Sequence, residues 1–123
     1  MVIDTGIFIE HLRAKDKLKT SLYLIPESTE LFISSVSLYE LYMGATNIEK
    51  ENDIQLLTED LQVLSFTDSV SIKAAQIYHE LRKANKMIEF RDIFIAATCI
   101  VYELPILTLN KKHFKRIKGL QIV

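Results

Sequence analysis

Four times this chain sets two to four apolar residues directly before a small polar or acidic residue, and then begins a helical pattern. Val2-Ile3 precedes Asp4-Thr5, Leu31-Phe32-Ile33 precedes Ser34, Val63-Leu64-Ser65-Phe66 precedes Thr67-Asp68, and Pro105-Ile106-Leu107 precedes Thr108. Runs this short read as strands buried on both faces. Strands of that kind, alternating with helices, build a mostly parallel sheet covered by helices on each side. The expected fold is therefore an α/β three-layer sandwich of about five short strands, the fifth being Leu120 to Val123. A chain of 123 residues supports one such unit, and a single domain over residues 1–123 is expected.

Between the strands the pattern predicts a helix after Gly6 that carries Ile7, Phe8, Ile9 and Leu12, and a second, basic helix from about Asp16 to Leu24 closed by Pro26. A helix capped by Ser35 or Ser37 runs to about Gly44 and holds Glu40 in its first turns. An acidic helix follows from Glu49 to Leu61. A further helix, capped by Asp68 or Ser69, carries Ala74, Ala75, Ile77, Tyr78 and Leu81. Asp92 opens the run Ile93 to Tyr102, which is apolar nearly all round and reads as a buried helix. That run covers ten residues, short of the ~18 needed to span a membrane. Asp4 interrupts the apolar start at once, and no signal peptide is expected. The single Cys99 has no partner for an internal disulfide, which points to a reducing, cytoplasmic setting.

The net charge of −1 hides an uneven distribution. Residues 27–68 hold nine acids against Lys50 alone, whereas residues 103–123 hold five bases against Glu103 alone. An acidic pocket beside a local basic surface is the arrangement this implies. In parallel sheets ligands bind beyond the carboxyl ends of the strands. Asp4 follows the first strand, Glu40 lies just beyond the second, Asp92 begins the buried helix, and Asn110 follows the fourth strand. All four can reach one crevice. Carboxylates gathered there repel one another and call for a hard cation, Mg²⁺ or Mn²⁺. Such an ion keeps waters, one of which can attack phosphorus.

These residues carry a resemblance. Val2-Ile3-Asp4-Thr5 with Leu12, Ile33-Ser34-Ser35-Val36-Ser37-Leu38-Tyr39-Glu40-Leu41 with Gly44, Asp92-Ile93-Phe94-Ile95-Ala96-Ala97-Thr98, and Leu107-Thr108-Leu109-Asn110 with His113-Phe114 resemble, in order, the motifs of the PIN-domain family, in particular its VapC-type toxins. The resemblance implies a metal-dependent endoribonuclease that forms a homodimer and is held inactive by a cognate antitoxin. It implies Asp4, Glu40 and Asp92 as metal-binding and catalytic acids. It places the family's fourth site position on Asn110, and its site Ser/Thr on Thr5 or Thr108. Asn110 departs from the usual acid there, since an amide offers an oxygen but no charge.

Each acid also has an ordinary reading: Asp4 as a turn residue, Glu40 on a solvated helix face, Asp92 as a cap. Glu89 reads as exposed loop charge. His11, His79 and His113 lack a zinc spacing, Cys99 reads as core, and Phe114 as an anchor of the last loop. Lys111 and Lys112, with Lys115, Arg116 and Lys118, suit RNA phosphates or a solvated face equally. Arg13, Lys15, Lys17 and Lys19 can extend that track, and Tyr39, Tyr42, Phe90 and Tyr102 can stack bases or pack. Two other functions stay open: a catalytically inactive binding protein, and a receiver-type signalling domain. The receiver reading lacks an acid at the end of the third strand, where Phe66-Thr67 stands.

Overall fold

The computed structural model describes residues 1–123. Four strands, β1 (Val2–Ile3), β2 (Phe32–Ser34), β3 (Gln62–Leu64) and β4 (Ile106–Leu107), pair in parallel in the order β3-β2-β1-β4. Around them lie α1 (Thr5–Arg13), α2 (Ser35–Met43), α3 (Ile48–Thr58), α4 (Asp68–Lys83), α5 (Phe90–Val101) and the single turn α6 (Lys111–Phe114). None of these helices is long and apolar enough to cross a membrane.

The two-residue period of a strand divides the core between the faces. Val2, Phe32, Leu64 and Ile106 pack on the side of α4 and α5, with Ile77, Ile93, Ile95 and Phe114 among their neighbours. Ile3, Ile33 and Leu107 pack on the other side, against Ile7 and Phe8 of α1, Leu41 of α2 and Ile54 of α3. Both faces of the sheet are thus apolar and covered, which is why the strands show no polar alternation in the sequence. Phe114 is fully buried and does anchor the last loop.

Several local expectations are corrected. Asp16 to Leu24 is not a helix but a 3-10 turn over Lys17–Lys19. The reason is that its polar groups serve other structure: Lys17 Nζ donates to the carbonyls of His11, Leu12 and Ala14 at the end of α1 (2.8, 3.2 and 3.3 Å), and the buried Thr20 hydroxyl meets His11 Nδ1 at 2.7 Å. That capping also removes Lys17 from any phosphate track. The fifth strand contracts to one bridge, Ile106 to Ile122. The caps fall one position early: Ser34, not Ser35 or Ser37, caps α2, and Thr67, not Asp68 or Ser69, caps α4. Glu89 stands at the N-cap of α5, so Asp92 lies inside its first turn.

Candidate active site at the carboxyl edge of the sheet

The strand order runs from β1 outward through β2 to β3 on one side and jumps to β4 on the other. The change of direction falls between β1 and β4, where an α/β sheet opens a crevice at its carboxyl edge. Register places Ile3 opposite Leu107, so the next residues, Asp4 and Thr108, face one another across that point. The apolar rows of the sheet end here in a polar one.

Asp4 is 7% exposed and held from two directions. The Thr5 backbone N–H donates to Oδ1 at 2.9 Å, and the Thr108 hydroxyl donates to Oδ2 at 2.6 Å. Thr108 in turn accepts the Asn110 N–H at 2.9 Å. The Thr5 hydroxyl lies 2.8 Å from both Glu40 Oε1 and the buried Ser37 Oγ, fixing the glutamate over the first turn of α1. Thr5 and Thr108 therefore orient the two carboxylates. Asn110 contributes its backbone, while its side-chain amide meets His113 Nδ1 at 2.8 Å.

Electrostatics single out the two aspartates. Burial is the main force raising the Asp4 carboxyl above its usual range, with the Glu40 charge adding to it and the Thr108 and Thr5 hydrogen bonds opposing it. Burial, then the nearby charge of Asp4, pushes Asp92 up to about 6, while Arg91 and His113 act the other way. Asp92 thus senses Asp4 across the crevice, although no hydrogen bond joins them. A carboxyl raised by a neighbouring carboxylate is the signature of acids brought together without enough positive charge. Cys99 is buried and its thiol is pushed up to about 12, which removes it as a nucleophile.

Arg91 supplies the nearest compensation, and sequence reasoning passed over it. Its Nη1 lies 3.2 Å from Glu40 Oε2 and its Nε 2.9 Å from Glu89 Oε2. The usable signal was its place beside Asp92 and two residues after Glu89, in a segment bound to face a negative cleft. Ser37 was likewise missed as a support for Thr5. Lys111 and Lys112 project from α6, immediately after Asn110, and are exposed. Tyr39, Tyr42 and Phe90 are exposed, whereas the Tyr102 hydroxyl donates to the Ser65 carbonyl at 3.0 Å.

The donors in the crevice are carboxylate oxygens, the set a hard cation prefers over thiolate or imidazole. No three acidic or thiol or imidazole groups close into a cage. An open set suits Mg²⁺ better than Ca²⁺, because Mg²⁺ commonly takes one or two carboxylates and completes its shell with water and phosphate.

A parallel sheet with acids at its switch point defines the class: an α/β domain with an acidic candidate site at the carboxyl edge. Residues 1–120 match the family model of the PIN domain, and the chain belongs to that family. Within it the chain is similar to Ribonuclease VapC of Rickettsia bellii, 32% identical over the whole chain and 94% of that protein. Ribonuclease VapC1 of Methanocaldococcus jannaschii is 27% identical over 99% of this chain and 85% of its own length. Among solved structures, VapBC-1 from nontypeable Haemophilus influenzae superposes with a TM-score of 0.84 and 27% identity, covering 99% of this chain and 95% of that one.

Proposed function

We propose that this PIN domain is an endoribonuclease, the toxin of a toxin–antitoxin pair, that works in the cytoplasm and depends on Mg²⁺ or Mn²⁺. The observation that carries the reading is the gathering of acids at the switch point of the sheet: Asp4 held by Thr5 and Thr108, Glu40 held by Thr5, and Asp92 close enough to feel the charge of Asp4. Asp4 and Asp92, with Glu40, would hold the ion, which supplies charge for a phosphodiester and a water of lowered pKa. Thr108 and the Thr5 N–H keep Asp4 aimed, Thr5 keeps Glu40 aimed, and Lys111 and Lys112 draw the RNA backbone toward an otherwise repulsive cleft.

Two surfaces suit the expected protein partners. A cleft of about 340 Å³ between α1, α2 and α3, lined by Leu12, Leu41, Ile54, Arg13 and Lys50, opens onto Glu40 and suits an antitoxin segment that ends in a cation. A larger apolar cleft of about 620 Å³, with Phe66, Phe90, Phe94 and Tyr78 in its walls, suits a second copy of the chain.

The test is cleavage of single-stranded RNA by the purified chain in Mn²⁺ and in chelator, alongside Asp92→Asn. Cleavage that needs the metal and vanishes in a folded Asp92→Asn protein is expected. A folded, active Asp92→Asn variant sinks the assignment.

A further inference from the structure

We infer that Arg91 is a positioning residue that links metal to substrate: it holds Glu40 until an RNA phosphate draws its guanidinium away, and so releases Glu40 to the divalent ion. The inference rests on the metal-dependent reading above.

The Glu40 side chain is 10% exposed and both of its oxygens are engaged, Oε1 by Thr5 and Oε2 by Arg91. A guanidinium at 3.2 Å satisfies the same negative charge that would attract an ion, and it repels a cation placed beside it. Arg91 and the ion are therefore competitors for Glu40. Arg91 differs from a buried structural arginine in two ways. Its side chain is 54% exposed, and its Nε is separately tethered to the exposed Glu89. It can leave Glu40 by rotating about that tether without leaving the mouth of the crevice.

A phosphate is the group best able to take it. Only two of the three guanidinium nitrogens are occupied, by Glu40 and Glu89, and the planar fork matches phosphate oxygens bidentately. The cavity of about 480 Å³ beside Arg91 and Glu40 is walled by Tyr39, Met43 and Phe94, flat and apolar surfaces on which a base of the same strand can stack. Apart from Arg91, no base forms an ion pair with a crevice acid. By linkage, a phosphate strand that recruits Arg91 must tighten the ion, and the ion must tighten the strand by the same factor.

The experiment titrates Mn²⁺ calorimetrically into wild type, Arg91→Ala and Arg91→Lys, with and without a saturating single-stranded oligothymidylate, which supplies backbone phosphates without being RNA. Circular dichroism checks the fold. Without oligonucleotide, Arg91→Ala should bind Mn²⁺ about tenfold more tightly, the low end of what a cation within ~4–6 Å does to a carboxylate's affinity for positive charge. The oligonucleotide should raise the Mn²⁺ affinity of wild type by a clearly larger factor than that of Arg91→Ala, in which only direct attraction between phosphate and ion remains. Arg91→Lys, keeping the charge but not the fork, should match wild type for Mn²⁺ alone and bind the oligonucleotide more weakly. An alanine variant that binds Mn²⁺ no more tightly, or that keeps the wild-type response to oligonucleotide, overturns the inference and leaves the metal reading standing. A wild-type chain that takes up no Mn²⁺ overturns both.

Discussion

The chain presents two concave regions of opposite character on either side of α5. The crevice at the carboxyl edge is narrow, acidic and wired by hydrogen bonds from Thr5, Thr108 and Ser37. The cleft between α4 and α5 is wider and apolar, with Phe66 and Phe94 in edge-to-face contact at 5.2 Å and Tyr78 against Phe90 at 6.0 Å. Size and apolarity mark a surface that gains by being covered. Chemistry lies instead where burial works against charge. The crevice costs the fold stability through crowded acids, and the cleft stabilises it through aromatic packing, so mutations in the two regions should separate activity from stability.

The sharpest break is expected at Thr108→Val, which removes the 2.6 Å hydrogen bond to Asp4 and retains the shape of the side chain. Groups that orient a metal ligand typically change affinity or activity by about 10–100-fold. Mn²⁺ affinity and RNA cleavage should fall together by that factor, alongside a loss of about 1–3 kcal/mol of stability in chelator, because the Asn110 N–H and an Asp4 oxygen lose their partner. A loss of stability with unchanged cleavage would make Thr108 a core residue only.

Phe66→Ala should cost stability and spare activity. It deletes the edge-to-face pair with Phe94, worth about 0.5–1.5 kcal/mol beyond its burial, from a residue 38% exposed that has no polar group to offer the acids. Denaturant titration should show a loss of about 2 kcal/mol, the pair together with the burial lost with it, and sedimentation a shift of the proposed dimer toward monomer, with cleavage per folded molecule intact. A drop in cleavage equal to that of Thr108→Val would erase the distinction between the two regions.

A pH series sharpens the comparison further. Asp92 titrates near 6 in the fold against an ordinary 3.8, so the folded state favours its protonated form. The metal-free protein should therefore lose stability as pH rises from about 4 to 6, in the direction set by binding more protons when folded. Asp4 contributes with the same sign. Asp92→Asn should flatten that slope and gain stability relative to wild type at neutral pH, as measured by denaturation midpoints in chelator. Phe66→Ala should shift the whole curve without changing its slope.

The smallest effect belongs to the basic rim. Replacing Lys111 and Lys112 with alanine should reduce the salt dependence of RNA binding by about 0.7 in slope for each phosphate that the variant no longer neutralises. Equal slopes for wild type and variant would leave these lysines as a solvated face.

Much of the fold and the site was legible in the sequence. The four short apolar runs predicted a covered parallel sheet because a strand of two or three residues is useful only when both of its faces are buried. The position of Asp4 and Thr108 directly after such runs put them at the carboxyl edge. Where the reading failed, long-range interactions had outweighed local preference. The stretch from Asp16 has a helical pattern, yet Lys17 is committed to the carbonyls of α1 and Thr20 to His11. The last strand has the composition for pairing but meets its neighbour in a single bridge at Ile122, held by the Gln121 carbonyl and the Val123 N–H.

The sequence by itself determined the acids, their order and the strand ends that carry them, because side-chain chemistry and the two-residue period of a strand are local properties. Only the tertiary structure decided that Arg91 reaches Glu40, that Thr108 closes on Asp4 across 104 residues of chain, and that burial, with the charge of Asp4 added, pushes Asp92 up to about 6. Those facts depend on strand order. Placing β4 beside β1 is a long-range pairing, Val2 with Ile106 and Ile3 with Leu107, and no stretch of sequence records it locally.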